Sequence, residues 1–227
     1  MTASPQQNVR VWDLPTRVFH WTLALAIVGS VVSAKVGGNA MVWHFRFGSV
    51  VLALIVFRIV WGLVGGRWSR FSSFLYAPAT VLRYLRGQSR PDEHLDVGHN
   101  PLGSFSVFAL LGLLALQVAT GLVADDEIAN VGPLNRFVGS GTVQQATGWH
   151  QELGQWLLIA LVLLHIGAVL FYLFRKKQNL VRPMLVGDKP LPPGTPASAD
   201  GPAQRALALV LAVLCGLGAA WVASLGG

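Results

Sequence analysis

The sequence predicts an all-α integral membrane protein, and three observations support this prediction. Of the 227 residues, 53% are hydrophobic and only 12% are charged, whereas soluble domains carry about 25% charged residues. Five apolar stretches are long enough to cross a bilayer, which takes about 20 residues in a helix. Backbone amides in lipid need partners within their own segment, and the stretches lack the alternation of barrel strands, so they are helices.

The apolar stretches indicate four core helices and one appended helix. The segment before the first span reads as the start of a helix. Asp13 can cap that helix, and Pro15 would lie in its first turn, where proline is tolerated. Residues 189–204 are rich in proline, alanine and glycine, which is typical of a flexible linker. We therefore predict a domain over residues 1–188, the linker, and a fifth helix over 205–227. The predicted spans are about residues 18–36, 42–64, 105–123 and 149–174, with a fifth apolar run over 206–225.

Basic residues are concentrated in alternate loops. The loop after the second span holds five arginines before residue 91, and the loop after the fourth holds five lysines and arginines. The positive-inside rule places these loops and the N-terminus in the cytoplasm, and the C-terminus in the periplasm. The sequence pI of about 10.3 also fits nucleic-acid binding, but the loop charges account for it. We therefore expect the protein to contact membrane lipid and not to bind nucleic acid.

The cytoplasmic loop after the second span contains RFSSFLYAPATVLRYLRG, residues 70–87. One interpretation is a short interfacial helix that presents aromatic residues on one side and arginines on the other. The alternative is a solvated basic loop without a special role. The sequence leaves both open.

The single cysteine, Cys215, limits the cofactor chemistry. One thiol excludes an intrachain disulfide, a cysteine-based zinc site and an all-cysteine iron–sulfur cluster. No C-x-x-C-H motif is present for covalent haem attachment. Any redox cofactor must therefore be held by other ligands, and histidine is the strong ligand that remains.

Four histidines lie in the predicted spans at two depths. His20 and His165 lie toward the cytoplasmic side, and His44 and His150 begin their spans on the outer side. From His150 to His165 (165 − 150 = 15 residues) a helix rises about 22 Å and turns by a net of about 60°. The depths pair His20 with His165 and His44 with His150. Two such pairs suit two haems in a bundle core, each iron between two imidazoles.

Each histidine also has a simpler interpretation, because a lone intramembrane histidine is often a polar contact between helices. The spans contain no aspartate or glutamate except Glu152, at the outer boundary of the fourth span. A proton-relay transporter usually has carboxylates deeper in the membrane. Two arginines of the second span are candidates for the haem carboxylates, since a guanidinium matches a carboxylate. Arg46 lies near the outer pair and Arg58 near the cytoplasmic end, but either can instead extend its charge to the interface.

Five fragments of the sequence together resemble one family. In chain order they are VWDLPTRVFHW, WHFRFGSVVLALIVFRIVWGLVG, GHNPLG, WHQELGQWLLIALVLLHIGAVLF and NLVRPMLVGDK. They resemble the bacterial cytochrome b561 family, which includes the b-type cytochrome subunit of membrane-bound nickel–iron hydrogenases. The resemblance covers approximately residues 9–189, so the fifth span lies outside it and is expected to be either a partner-docking helix or a passive anchor.

The resemblance implies a four-helix bundle in the bacterial inner membrane that encloses two haem b groups. Carried over by residue, His20 and His165 would ligate the cytoplasmic-side haem, and His44 and His150 the periplasmic-side haem. The implied activity is electron transfer between the quinone pool and a redox partner, such as a c-type cytochrome or a periplasmic oxidoreductase subunit. An acidic outer loop, Asp125–Asp126–Glu127, suits a basic partner surface but is more often a solvated loop end.

His99, in the GHNPLG fragment, is a separate candidate. Quinone chemistry requires proton exchange, and histidine titrates in the appropriate range, so His99 is a candidate for a quinone site or a contact to a haem carboxylate. The preferred interpretation is structural: a helix-entry position, with Asn100 and Pro101 capping the third span.

Two other functions compete with the electron-transfer subunit. The first is a stand-alone oxidoreductase that takes electrons from a small species such as superoxide and passes them to quinone. The acidic outer loop disfavours an anionic substrate. The second is a haem-free transporter lined by histidines, which predicts a colourless protein. The sequence does not identify the partner, the direction of electron flow, the quinone or the haem potentials.

Overall fold

The computed structural model describes residues 6–226, apart from the side chain of Pro91. It is built mainly from helices, with one short two-stranded sheet. A π-helical turn, Trp149–Leu153, joins α5 to α6. The elements are β1 (Gln7–Arg10), α1 (Leu14–Val36), α2 (Met41–Val64), α3 (Pro78–Leu85), α4 (Pro101–Gly121), α5 (Ser140–Gly148), α6 (Gly154–Phe174), α7 (Val181–Val186), β2 (Asp188–Leu191) and α8 (Pro202–Ser224).

Five helical segments within residues 6–226 are long and apolar enough to cross a membrane. They contain α1, α2, α4, α6 and α8, so the prediction of an all-α multi-pass membrane protein is confirmed. Three of these helices begin earlier than their apolar runs suggest. Pro15, Pro101 and Pro202 all lie in first turns, where a missing N–H costs little. Each of these helices therefore starts with a polar first turn, and its apolar run begins a few residues later.

The chain divides into two compact units. The second unit comprises residues Phe19–Phe57, Ala109–Ile166 and 210–226. Its apolar core takes residues from four helices, α1, α2, α4 and α6, which confirms the predicted four-helix packing. Small residues permit close contact here: a Cβ at Gly29 of α1 would lie 2.6 Å from a ring carbon of Phe47 of α2. The buried centre consists of Ala26, Val51, Ile55, Leu114 and Leu158.

The first unit comprises residues 6–18, Arg58–Phe108 and Gly167–Leu209. Its sheet pairs β1 with β2 in antiparallel orientation, with Gln7 opposite Leu191 and Arg10 opposite Asp188. The sheet and the segments after α2 and before α4 enclose a small apolar core. Its buried members are Val9, Val11, Trp12, Trp68, Val97 and Leu191.

A fully buried carboxylate, Asp13, organises this unit. One of its oxygens accepts the N–H of Thr16 at 2.8 Å, which is the predicted cap of α1, and the indole N–H of Trp61 at 3.2 Å. The other accepts the N–H of Gly66 at 3.1 Å and the hydroxyl of Ser69 at 2.7 Å. Four donors therefore satisfy a group that would otherwise be costly to bury.

Residues 189–204, predicted to be a flexible linker, make specific contacts with the N-terminal segment. The hydroxyl of Ser198 donates to the carbonyl of Val11 at 2.8 Å and accepts the N–H of Trp68 at 3.1 Å. Asp200 accepts the N–H of Leu14 at 3.0 Å and forms ion pairs with Arg10 and Arg205. These contacts join the starts of α1 and α8. The division of the chain at residues 188 and 204 remains a prediction.

Candidate functional site

The outer histidine pair joins α2 to the π-helical turn before α6. The ring centres of His44 and His150 are 5.9 Å apart, with the planes 78° to each other. The Nδ1–H of His44 donates to the carbonyl of Ser30 at 3.0 Å, and that of His150 donates to the carbonyl of Gln117 at 2.8 Å. Such bonds fix the tautomer and orientation of an imidazole and leave Nε2 for a metal.

Two features that no sequence pattern indicated position His150. The π-helical turn contains it. Because a π turn holds more residues than an α turn, it reduces the rotation accumulated between His150 and His165. The second feature is Gly121 of α4: a Cβ there would lie 2.6 Å from Cε1 of His150. The missing side chain therefore makes the space that the imidazole occupies.

The inner pair joins α1 to α6. The ring centres of His20 and His165 are 6.5 Å apart, at 53° to each other. The Nδ1 of His20 is buried and has no hydrogen-bond partner among the described residues. A buried imidazole nitrogen without a partner is costly, so this arrangement fits a group that binds between the two rings.

Both pairs fit the axial ligation of a haem. Iron bound about 2 Å from each ring nitrogen holds two imidazole centres roughly 6 Å apart, and the two observed separations are 5.9 Å and 6.5 Å. Within residues 6–226, no group of three or more histidine, cysteine or acidic side chains could hold a bare metal ion. Two ligands to each iron are what a haem needs, since the macrocycle supplies the others.

A cleft opens beside the outer pair, and the loop after α4 forms part of its wall. One oxygen of Asp126 accepts the backbone N–H groups of Ile128, Ala129 and Asn130 at 2.9–3.0 Å. The hydrogen bond from the Asn130 side chain, followed by those from the backbone, holds the pKa of Asp126 well below its usual range. The cleft is lined by Met41, His44, Phe45, Gly121, Ala124, Asp126, Asn130, Gly132, His150 and Gln151.

Comparison with known proteins identifies the family. A sequence model described as prokaryotic cytochrome b561 matches residues 11–187, which is most of the chain. The chain belongs to the prokaryotic cytochrome b561 family. Membership implies haem b as the cofactor and membrane electron transfer as the general role, so the resemblance noted from the five sequence fragments is confirmed. No solved structure matches the chain.

Several cytochrome b561 relatives carry the same description, probable Ni/Fe-hydrogenase B-type cytochrome subunit. The protein from Cupriavidus necator is 30% identical over 210 residues, covering 78% of this chain and 85% of the relative. The protein from Bradyrhizobium diazoefficiens is 25% identical and covers 80% and 86% of the two chains. The hydrogenase 1 counterpart from Escherichia coli K12 is 26% identical and covers 69% and 80%.

The structure does not bring Arg46 to the outer histidine pair of this cytochrome b561. Arg46 follows His44 by two residues, and side chains so spaced on a helix do not share a face. Its guanidinium is exposed and lies 4.8 Å from the ring centre of Trp43. A role toward a haem carboxylate remains a prediction that these contacts do not favour.

Arg58, the other arginine of α2, lies in the first unit and is buried. Its guanidinium packs 4.7 Å from the ring centre of Phe71. One of its terminal nitrogens, Nη1, has no hydrogen-bond partner among the described residues. Extension of the charge to the interface, the simpler interpretation of Arg58, is therefore not what the structure shows.

His99 lies between two aromatic rings of the first unit. Its ring centre is 4.7 Å from those of both Trp12 and Phe74, and its backbone carbonyl accepts the hydroxyl of Tyr76 at 2.5 Å. The capping role predicted for its neighbour is confirmed, because Oδ1 of Asn100 accepts an N–H in the first turn of α4 at 2.8 Å. The packing gives His99 a structural role, and its place in a quinone site remains a prediction.

Proposed function

We propose that this cytochrome b561 is a di-haem electron carrier of the bacterial inner membrane. His20 and His165 would hold one haem b, and His44 and His150 would hold the other. The observation that carries the proposal is the presence of two histidine pairs on three helices and the adjoining π turn, with ring centres 6.5 Å and 5.9 Å apart. The haem irons, when bound, supply reversible one-electron oxidation and reduction.

The protein residues set the environment in which this chemistry takes place. The carbonyls of Ser30 and Gln117 hold the imidazoles of His44 and His150 by their Nδ1–H groups, which raises the basicity of the opposite nitrogen as a ligand. In the inner pair, Nδ1 of His20 has no such bond within the described residues. The two sites therefore differ in ligand basicity, which separates their reduction potentials.

We also propose the direction across the membrane and the partners. The basic loops favour a cytoplasmic N-terminus. The His20–His165 pair would then lie on the cytoplasmic side and the outer pair toward the periplasm. Because relatives are described as hydrogenase cytochrome subunits, an oxidoreductase of that type is the preferred redox partner, ahead of a c-type cytochrome. The quinone pool would be the second partner. Residues 1–188 would form the di-haem domain, with α8 as an added membrane helix.

The test is the haem content per chain, measured by pyridine haemochrome against a protein assay. We expect two haem b groups in the wild type and one in the His44→Ala variant. His94→Ala is the matched control, because His94 is exposed on a loop and should leave both haems. A colourless, folded wild type would contradict the proposal and favour a histidine-lined transporter. One haem in the wild type would refute one of the two pairs.

A second experiment tests the electron partners. The purified protein, reduced by a quinol analogue and mixed with an oxidant, should show haem oxidation and re-reduction at catalytic rates. Membranes that also contain a nickel–iron hydrogenase should reduce the haems when hydrogen is supplied. The same membranes with the His44→Ala variant should lose this response. Reduction by quinol without reduction by hydrogen would reject the hydrogenase as partner and retain the quinone.

A further inference from the structure

The short helix α3 presents an apolar face outward and a polar face inward. Leu75, just before the helix, and Leu82 and Leu85 within it are 73%, 47% and 60% exposed. Pro78 and Ala79 are also exposed. Within the helix, Pro78, Ala79, Leu82 and Leu85 recur at intervals of three or four residues, so they share one side. A helix in contact with water normally turns its apolar side inward.

The inward face of α3 is held by polar contacts. Arg83 forms an ion pair with Glu93 and donates to the hydroxyl of Thr80 at 3.0 Å. The hydroxyl of Tyr84 lies 3.3 Å from that of Tyr172, which in turn accepts the side-chain amide of Asn100 at 2.9 Å. These contacts fix the rotation of the helix, so that the leucines cannot turn inward without breaking them.

The charges near α3 are strongly one-sided. Residues 65–90 contain five arginines and no acidic residue. Arg83 pairs with Glu93, but the other four arginines form no ion pair with a carboxylate of residues 6–226. These four, Arg67, Arg70, Arg86 and Arg90, are exposed. Arg86 follows Leu82 by four residues and therefore lies on the apolar side of the helix.

The position of α3 in the chain places it at the membrane boundary. The membrane-spanning segments before and after it end at Val64 and begin at Pro101. An amphipathic helix at this level, with leucines outward and arginines at its edge, has the features of a helix that lies in the bilayer interface. Arginines near an anionic lipid surface add electrostatic attraction.

We propose that α3 lies in the plane of the membrane and binds anionic phospholipid. Leu75, Leu82 and Leu85 enter the boundary between headgroups and acyl chains, while Arg70 and Arg86 contact lipid phosphates. The outward leucines favour contact with lipid over contact with water, because they are apolar. The arginines without an ion pair favour anionic headgroups at this face.

Spin-label depth measurements test where the helix lies. Cys215 is the single cysteine, so a Cys215→Ser background accepts one label at Leu82→Cys, Leu85→Cys or the polar control Gln88→Cys. In nanodiscs with phosphatidylglycerol, labels at 82 and 85 should collide with oxygen rather than with a water-soluble nickel chelate, at a depth of about 5–10 Å. Accessibility to nickel equal to that at position 88 overturns the proposal. Shielding from both reagents also overturns it, because a protein would then cover the face.

Lipid selectivity tests the headgroup contact. The relative association of spin-labelled phosphatidylglycerol over phosphatidylcholine should fall by at least about twofold in the Arg70→Gln/Arg86→Gln variant. The control is Lys176→Gln/Lys177→Gln, which removes the same charge from the exposed loop after α6. An equal fall in both variants overturns the assignment to α3, because the preference would then reflect total charge. An unchanged visible haem spectrum verifies that each variant is folded.

Discussion

The imidazole of His150 occupies the space that a side chain on Gly121 would fill. A Cβ at position 121 would lie 2.6 Å from Cε1 and 2.9 Å from Nδ1 of the ring, which is closer than real Cβ contacts come. The same ring donates to the carbonyl of Gln117, one turn earlier on α4. On α4, the missing side chain of Gly121 and the backbone carbonyl of Gln117 thus together orient His150, the candidate ligand in the π turn.

If His44 and His150 hold a haem as proposed, this contact predicts that Gly121→Ala impairs its binding. The added methyl group must push the imidazole of His150 aside, which lengthens or breaks its bond to Gln117. We expect outer-haem occupancy to fall by half or more, and the low-spin electron paramagnetic resonance signal of the remaining fraction to shift. Gly112→Ala is the control: it lies on the opposite side of α4, and its Cβ would meet nothing within 4 Å. Identical spectra for both variants would refute the positioning role of Gly121.

The pairing predicts a pattern among histidine variants. His44→Ala and His150→Ala should each remove the same spectral component, and the double variant should remove no more. His20→Ala and His165→Ala should do the same for the other component, since either loss leaves an iron with one axial ligand. Redox titration of the visible spectrum separates the two components. If His20→Ala and His150→Ala instead removed the same component, the pairing would be wrong.

The buried carboxylate predicts a large loss of stability. Asp13→Ala leaves four donors, among them the N–H of Gly66 and the hydroxyl of Ser69, without their acceptor. Unsatisfied buried donors cost 1–3 kcal/mol each, so the free energy of unfolding should fall by about 3 kcal/mol or more. Thermal unfolding in detergent measures the change. Asp92→Ala, at an exposed position, should cause almost none, and an equal effect of the two variants would contradict the network.

The loop beside the outer pair predicts a distinct dependence on pH. Hydrogen bonds lower the pKa of Asp126 in the folded state, so its stabilisation is complete above the unfolded pKa of about 3.9. It is lost only as the pH falls through the lower, folded pKa. The amides of Ile128, Ala129 and Asn130 should therefore stay protected from hydrogen exchange at pH 5.

The Asp126→Ala variant removes the acceptor for these amides at every pH. Their exchange should accelerate tenfold or more, measured by mass spectrometry on the peptide that covers the loop after α4. Glu127→Ala is the matched control, because Glu127 is exposed and its side chain accepts none of these three bonds. Equal acceleration in both variants would show that the loop is not held by Asp126.

Local patterns predicted several parts of the molecule correctly. Hydropathy located the membrane helices, because an apolar run of this length has one stable arrangement in lipid. Asp13 was predicted as a cap, and the structure confirms it. The pairing of the histidines by depth followed from helix geometry, and the structure brings each predicted pair together. The role of Arg46 toward a haem carboxylate, which was inferred from its depth near His44, remains a prediction.

The features that the sequence did not reveal depend on contacts between distant segments. The strands β1 and β2 pair across almost the whole chain, and neither is long enough to be recognised by alternation. The proline-rich residues before α8 were predicted to be flexible from their composition, yet Ser198 and Asp200 contact the N-terminal segment. Gly121 lacked any signal, because a glycine in a membrane helix is common.

The sequence by itself determined the class of the protein, its number of membrane helices and its set of candidate ligands, because hydropathy and helical periodicity act over a few turns. Only the tertiary structure decided how each ligand is held. The π turn at His150, the contacts of the imidazoles with the carbonyls of Ser30 and Gln117, and the outward face of α3 are visible only in the folded structure. These contacts join segments that are far apart in the chain, and the local pattern of one helix does not specify which segment packs against it.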